Sequence, residues 1–111
     1  IADTVGVATP SQITSVLNKL TSKYSNIKFG VHLHSKPDGW KAKVDAALQA
    51  GCTRFDGALK GIGGCPMSGD ELGGNMNTEM MIAYFQQKNF LADLDKDELK
   101  KSLLLANEIF T

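Results

Sequence analysis

The chain has no excess of either charge, no long apolar run and only two cysteines, and each shortage removes a class of function. Twelve basic side chains balance twelve acidic ones, with neither sign gathered into a block, so neither a nucleic acid nor an anionic membrane surface is expected as a partner. No stretch approaches the ~20 apolar residues that a membrane-spanning helix needs. Two cysteines are too few for a disulfide framework and point to free thiols in a reducing compartment, cytoplasmic by expectation. A Cys52–Cys65 bridge is the lesser alternative. At 111 residues the chain can bury one modest core and no more. It opens on Ile1-Ala2-Asp3-Thr4, a sequence that reads as the end of a strand, so the expectation is a piece of a larger domain.

Strand-like and helix-like patterns alternate along the chain. Residues 1–4 lead into Gly6-Val7-Ala8-Thr9-Pro10, where Thr9 suits a helix N-cap and Pro10 the first helical position. Ile13, Val16, Leu17, Leu20 and Tyr24 then follow a helical stripe. Residues 27–34 alternate, with Ile27, Phe29, Val31 and Leu33 on one face and Lys28, Gly30, His32 and His34 on the other. A Pro-Asp-Gly turn at 37–39 precedes a helix carrying Trp40, Val44, Ala47 and Leu48, ended by Gly51. A shorter strand is expected near residues 53–58, and a helix through Met80 or Met81, Tyr84 and Phe85. Asp95 with Glu98 opens a terminal helix lined by Leu99, Leu103, Ala106 and Phe110.

This rhythm predicts parallel βα units, with all strand C-termini on one side. Asp3, His32, His34 and Cys65 fall at or just after such ends, where active sites of parallel α/β folds collect.

Two features carry chemistry. His32 and His34, two apart on a strand, share a face at ~7 Å spacing and can converge on one metal ion. Both are neutral donors, so a hard divalent cation would also need oxygen ligands. Asn75 offers a carbonyl oxygen, and no acidic residue stands out as the anionic ligand. The second feature is Gly61-Ile62-Gly63-Gly64-Cys65-Pro66, followed by Gly73-Gly74-Asn75. A cysteine between a glycine pair and a proline suits a mobile catalytic loop, and its thiol suits proton transfer or nucleophilic work. A phosphate-cradling loop is excluded, because the Gly-Lys-Ser/Thr ending is missing. The rival is a structural zinc held by His32, His34, Cys52 and Cys65, whose spacings match no compact zinc module. Cys52 reads more simply as a small buried residue.

Together these residues resemble the hydroxymethylglutaryl-CoA lyases, metal-dependent members of the aldolase-like TIM-barrel lyases. The resemblance rests on Ala2-Asp3-Thr4-Val5-Gly6-Val7-Ala8-Thr9-Pro10, Val31-His32-Leu33-His34, Gly61-Ile62-Gly63-Gly64-Cys65-Pro66, and Gly74-Asn75 with Thr78-Glu79. It spans residues 1–88; the terminal helix, 89–111, is less diagnostic. It implies an α/β chain forming the C-terminal portion, about three of eight βα units, of one TIM barrel. It further implies His32, His34 and Asn75 as ligands of Mg²⁺ or Mn²⁺, Cys65 as the catalytic thiol, and Asp3 in substrate contact or proton handling.

The implied reaction cleaves 3-hydroxy-3-methylglutaryl-CoA to acetyl-CoA and acetoacetate. That is the leucine-degradation step, set in the mitochondrial matrix if the source is eukaryotic. In the family, a further aspartate ligand and a substrate-binding arginine lie on the first barrel strand, outside this chain. The chain by itself is therefore expected to be inactive, and to self-associate or to pair with the missing N-terminal strands. Alternatives are a related metal-dependent aldolase, an acyl-CoA condensing enzyme of the same barrel group, or a non-catalytic segment. Two departures bear on the acyl-CoA substrate. Ser35-Lys36-Pro37 stands where the family commonly has an aspartate and a small polar residue. Met67-Ser68-Gly69-Asp70-Glu71-Leu72 replaces an alanine- and serine-rich run and makes the loop one residue longer.

Overall fold

A computed structural model describes residues 1–63 and 73–110. In chain order the elements are α1 (Pro10–Lys23), β1 (Gly30–His32), β2 (His34–Ser35), α2 (Trp40–Gln49), β3 (Arg54–Asp56), a 3-10 turn (Leu59–Gly61), β4 (Gly74–Asn75), α3 (Thr78–Gln87) and α4 (Lys96–Ile109). Segments Gly64–Leu72, with Cys65, lie outside the described residues.

The sheet is parallel where the site forms. Ala2 bridges to His32, and β1 pairs with β3 in the register Gly30–Arg54, Val31–Phe55, His32–Asp56. His32 closes the first bridge from both sides: its N–H donates to the Ile1 carbonyl at 2.8 Å, and its carbonyl accepts from the Asp3 N–H at 2.9 Å. The next step along the chain changes partner. Leu33 leaves the ladder, and β2 runs antiparallel to β4 with His34 opposite Asn75 and Ser35 opposite Gly74. The alternation expected over residues 27–34 is therefore one strand of three residues and a second short one. Val31 and Leu33 are both buried as the pattern requires, but Ile27 is half exposed, because the chain there has not yet entered the sheet.

The helices follow their sequence signals closely. Thr9 caps α1 through a full capping box: its hydroxyl accepts the Gln12 N–H while the Gln12 side chain accepts the Thr9 N–H. Pro10 begins the helix, where its missing N–H costs nothing. Gly51, at φ +85°, ends α2. Asp95 caps α4 by accepting from Asp97 and Glu98. Only Ala106 of that helix is buried; Phe110 is 52% exposed, so the apolar stripe expected there is largely uncovered.

α1 packs on α2 over the outer face of β1. Ile13, Leu17, Val31, Leu33, Val44, Ala47, Cys52, Met76 and Met81 form the core. Glycine is required where chain segments touch. A Cβ on Gly73 would stand 2.4 Å from the Ser35 carbonyl carbon, and one on Gly57 would stand 2.8 Å from the Met76 carbonyl oxygen. No helix among the described residues is long and apolar enough to cross a membrane.

Leu17 of α1 is 1% exposed and belongs to the core. Leu17→Ala is expected to lower unfolding free energy by about 2–5 kcal/mol, and Thr9→Ala by about 1 kcal/mol, both read from urea denaturation followed by circular dichroism.

Candidate metal centre at the strand ends

His32 ends β1 and His34 begins β2, with Leu33 turned into the core between them. Their rings meet edge to face, with centroids 5.1 Å apart, and their Nε2 atoms approach to 3.2 Å. That separation is close to the ~3.0 Å between adjacent corners around a cation with bonds of ~2.1 Å. A hydrogen bond between the rings would satisfy one nitrogen pair. It leaves the buried His34 Nδ1 without a partner among the described residues in either tautomer.

His34 is 4% exposed, and its pKa lies below the ordinary histidine value. Burial is the main cause and the neighbouring His32 the next; Asp3 opposes the shift and Lys43 adds to it. The imidazole is thus held neutral, the form in which it can donate a lone pair.

Asn75 faces His34 directly across the β2–β4 pair, a position that puts both side chains on one face. Its amide nitrogen donates to the Ile62 carbonyl at 2.8 Å, which commits the NH₂ end and makes Oδ1 the end that could serve as a ligand. A second clasp holds the same loop. Lys60 adopts a left-handed backbone (φ 61°), and its N–H is received by both carboxylate oxygens of Glu79, at 2.9 and 2.8 Å. Glu79 stands in the first turn of α3, and so ties that helix to the start of the glycine-rich loop.

Asp3 is buried and fully engaged. Its Oδ1 accepts from Val7 N–H, and its Oδ2 from Ala8 N–H and the Lys43 ammonium. Lys43 was not anticipated as part of the site. Its place on α2, one residue before Val44 in the buried stripe, was the available signal.

The residues present fit a cation in part. His32 and His34 approach through Nε2 and Asn75 stands across the β2–β4 pair from His34, while among the described residues no three His, Cys, Asp or Glu side chains gather closely enough to hold a metal. Asp56, in parallel register with His32, brings a carboxylate to the neighbouring strand end, where it is exposed. The zinc alternative loses a ligand: the Cys52 thiol contacts the Phe29 and Arg54 carbonyls, at the opposite end of β1. A groove lined by Phe55, Met81, Phe85 and Phe90 is apolar and lies on the other face of β3.

Residues 1–104 match the profile of the HMGL-like family. The chain belongs to that family. It is 31% identical over 99 residues to hydroxymethylglutaryl-CoA lyase YngG of Bacillus subtilis, covering 89% of this chain and 33% of that protein. It is 34% identical over 85 residues to (R)-citramalyl-CoA lyase of Chloroflexus aurantiacus, covering 77% of this chain and 26% of that protein. Homocitrate synthase of Sulfolobus acidocaldarius matches at 40% over 63 residues, 57% of this chain and 14% of that protein. Among solved structures, the HMG-CoA lyase of B. subtilis superposes with a TM-score of 0.82 at 30% identity, covering 96% of this chain and 36% of that one. The chain is thus an α/β portion of a TIM-barrel family, spanning about a third or less of these relatives' length.

In metal-free buffer with chelator, a lowered His34 pKa means that protonation opposes folding. Stability is expected to be full above the unfolded value of ~6.5 and to fall as pH drops through the lower folded value. His34→Gln should flatten that dependence in urea denaturation at stepped pH. Glu79→Ala is expected to cost about 1.5–3 kcal/mol and to speed amide exchange at Lys60, read by hydrogen-exchange NMR.

Proposed function

We propose that this chain carries the metal-binding rim and the thiol loop of a carbon–carbon lyase, which acts on 3-hydroxy-3-methylglutaryl-CoA once the rest of the barrel is present. The observation that supports it is the approach of the His32 and His34 Nε2 atoms to 3.2 Å, with Asn75 opposite His34, where the parallel β1–β3 pair gives way to the antiparallel β2–β4 pair. His32 and His34 would bind a Mg²⁺ or Mn²⁺ ion through Nε2, and Asn75 through Oδ1. Bound there, the cation supplies Lewis acidity that lowers the pKa of the substrate's tertiary hydroxyl and orients its oxygens.

The residues of this chain then divide the remaining work. His32 or Asp3 takes the hydroxyl proton in this reading. Asp3 already serves three donors, so its part depends on the Lys43 pair remaining in place. Breakage of the carbon–carbon bond gives acetoacetate and the enolate of acetyl-CoA. The Cys65 thiol, outside the described residues, protonates that enolate; an ordinary thiol pKa of ~8.5 suits the exchange near neutral pH. The remaining barrel supplies a carboxylate ligand and an arginine for the acyl-CoA.

A second reading is favoured by the citramalyl-CoA lyase and homocitrate synthase relatives: the same rim could serve another 3-hydroxyacyl-CoA, or run the carbon–carbon bond in the forming direction. One assay separates the readings. Protein carrying this chain within a full barrel is incubated with Mn²⁺ and either 3-hydroxy-3-methylglutaryl-CoA, citramalyl-CoA, or acetyl-CoA with a 2-oxo acid. Acetoacetate release from the first substrate is expected, falling at least ~10²-fold in Cys65→Ala. Turnover of only the second or third substrate overturns the assignment.

A further inference from the structure

Lys43 is a buried cation outside the set of residues with a part in the chemistry. It is 8% exposed, sits on α2, and uses all three of its ammonium protons. They go to Asp3 Oδ2 at 3.0 Å, the Gly6 carbonyl at 3.0 Å and the His34 carbonyl at 2.8 Å. The first two acceptors belong to the loop that follows the first bridge, and the third to the metal-binding strand. Asp3 closes the circuit, since its own N–H donates to the His32 carbonyl at 2.9 Å. The His34 carbonyl is thus held by the Lys43 ammonium and the His32 carbonyl by the main-chain N–H of its partner Asp3, and neither side chain of that pair hydrogen-bonds an imidazole.

The geometry points to Lys43 as the positioning residue of the histidine pair, holding the main chain at His34 so that the two Nε2 atoms stay at ligand spacing. The inference rests on the metal reading above. A single ammonium donating to three converging oxygens fixes three chain segments at once, which a solvated surface lysine cannot do. The Leu33 break makes this necessary: between β1 and β2 the chain leaves one ladder for another, and sheet hydrogen bonds alone do not carry the alignment of His32 over to His34. The Asp3 and Lys43 charges also compensate each other in a buried place, where removing one alone would strand the other.

The test uses protein carrying this chain within a full barrel, with Co²⁺ as the probe and two readouts besides activity. The visible spectrum on titration gives Co²⁺ affinity, and ¹H–¹⁵N correlations of the histidine rings in metal-free chain give the ring environment. Lys43→Met, with folding checked by far-UV circular dichroism, is expected to weaken Co²⁺ binding about tenfold or more and to shift or broaden the ring signals of His34. If that variant does not fold, Asp3→Asn/Lys43→Met removes the stranded charge, and the same changes are expected. A folded variant with unchanged affinity and unchanged ring signals overturns the inference. If the unsubstituted full-barrel protein takes up no Co²⁺, the metal reading fails, and the ring signals alone decide the role of Lys43.

Discussion

The candidate site depends on parallel alignment of short chain segments at a common rim. The bonds from the His32 main chain to Ile1 and Asp3, and the in-register pairing of β1 with β3, place Asp3, His32 and Asp56 at the same end of three adjacent segments. A one-residue slip would turn His32 into the core and Val31 outward, because successive side chains alternate between faces. Burial of Val31 and Leu33 makes that slip costly. The apolar contacts of the outer face thus fix which residues reach the inner one.

Packing then passes this alignment to the second half of the site. β4 can lie against β2 only because Gly73 has no side chain where it meets Ser35, and the 3-10 turn can approach α3 because its backbone turns left-handed at Lys60 and Gly61. The peptide N–H of Lys60, exposed by that turn, finds the Glu79 carboxylate, a charge-assisted contact that is stronger than a neutral one. Helix, turn and strand pairing converge on Asn75 from separate directions.

Much of this was legible in the sequence where local chemistry decides the outcome. Thr9, Pro10, Gly51 and Asp95 act within a few residues of themselves, so capping and termination could be read directly. The nearness of His32 and His34 followed from strand periodicity, although the actual device is a switch of sheet partner at Leu33, which no periodicity encodes. Lys43 was missed because a lysine on a helix ordinarily faces water. Its burial is decided by Asp3, forty residues away, and by two carbonyls that carry no sequence signal. Asp56 was not singled out, because its register with His32 exists only once the strands have paired.

The candidate donors His32, His34 and Asn75 bring no negative charge of their own, and the Asp3 carboxylate is paired with Lys43. A dication held by these three alone would keep nearly its whole charge until the carboxylate proposed for the rest of the barrel joined them. Such a centre would draw in an anionic ligand, and occupancy of either would strengthen retention of the other by an equal factor.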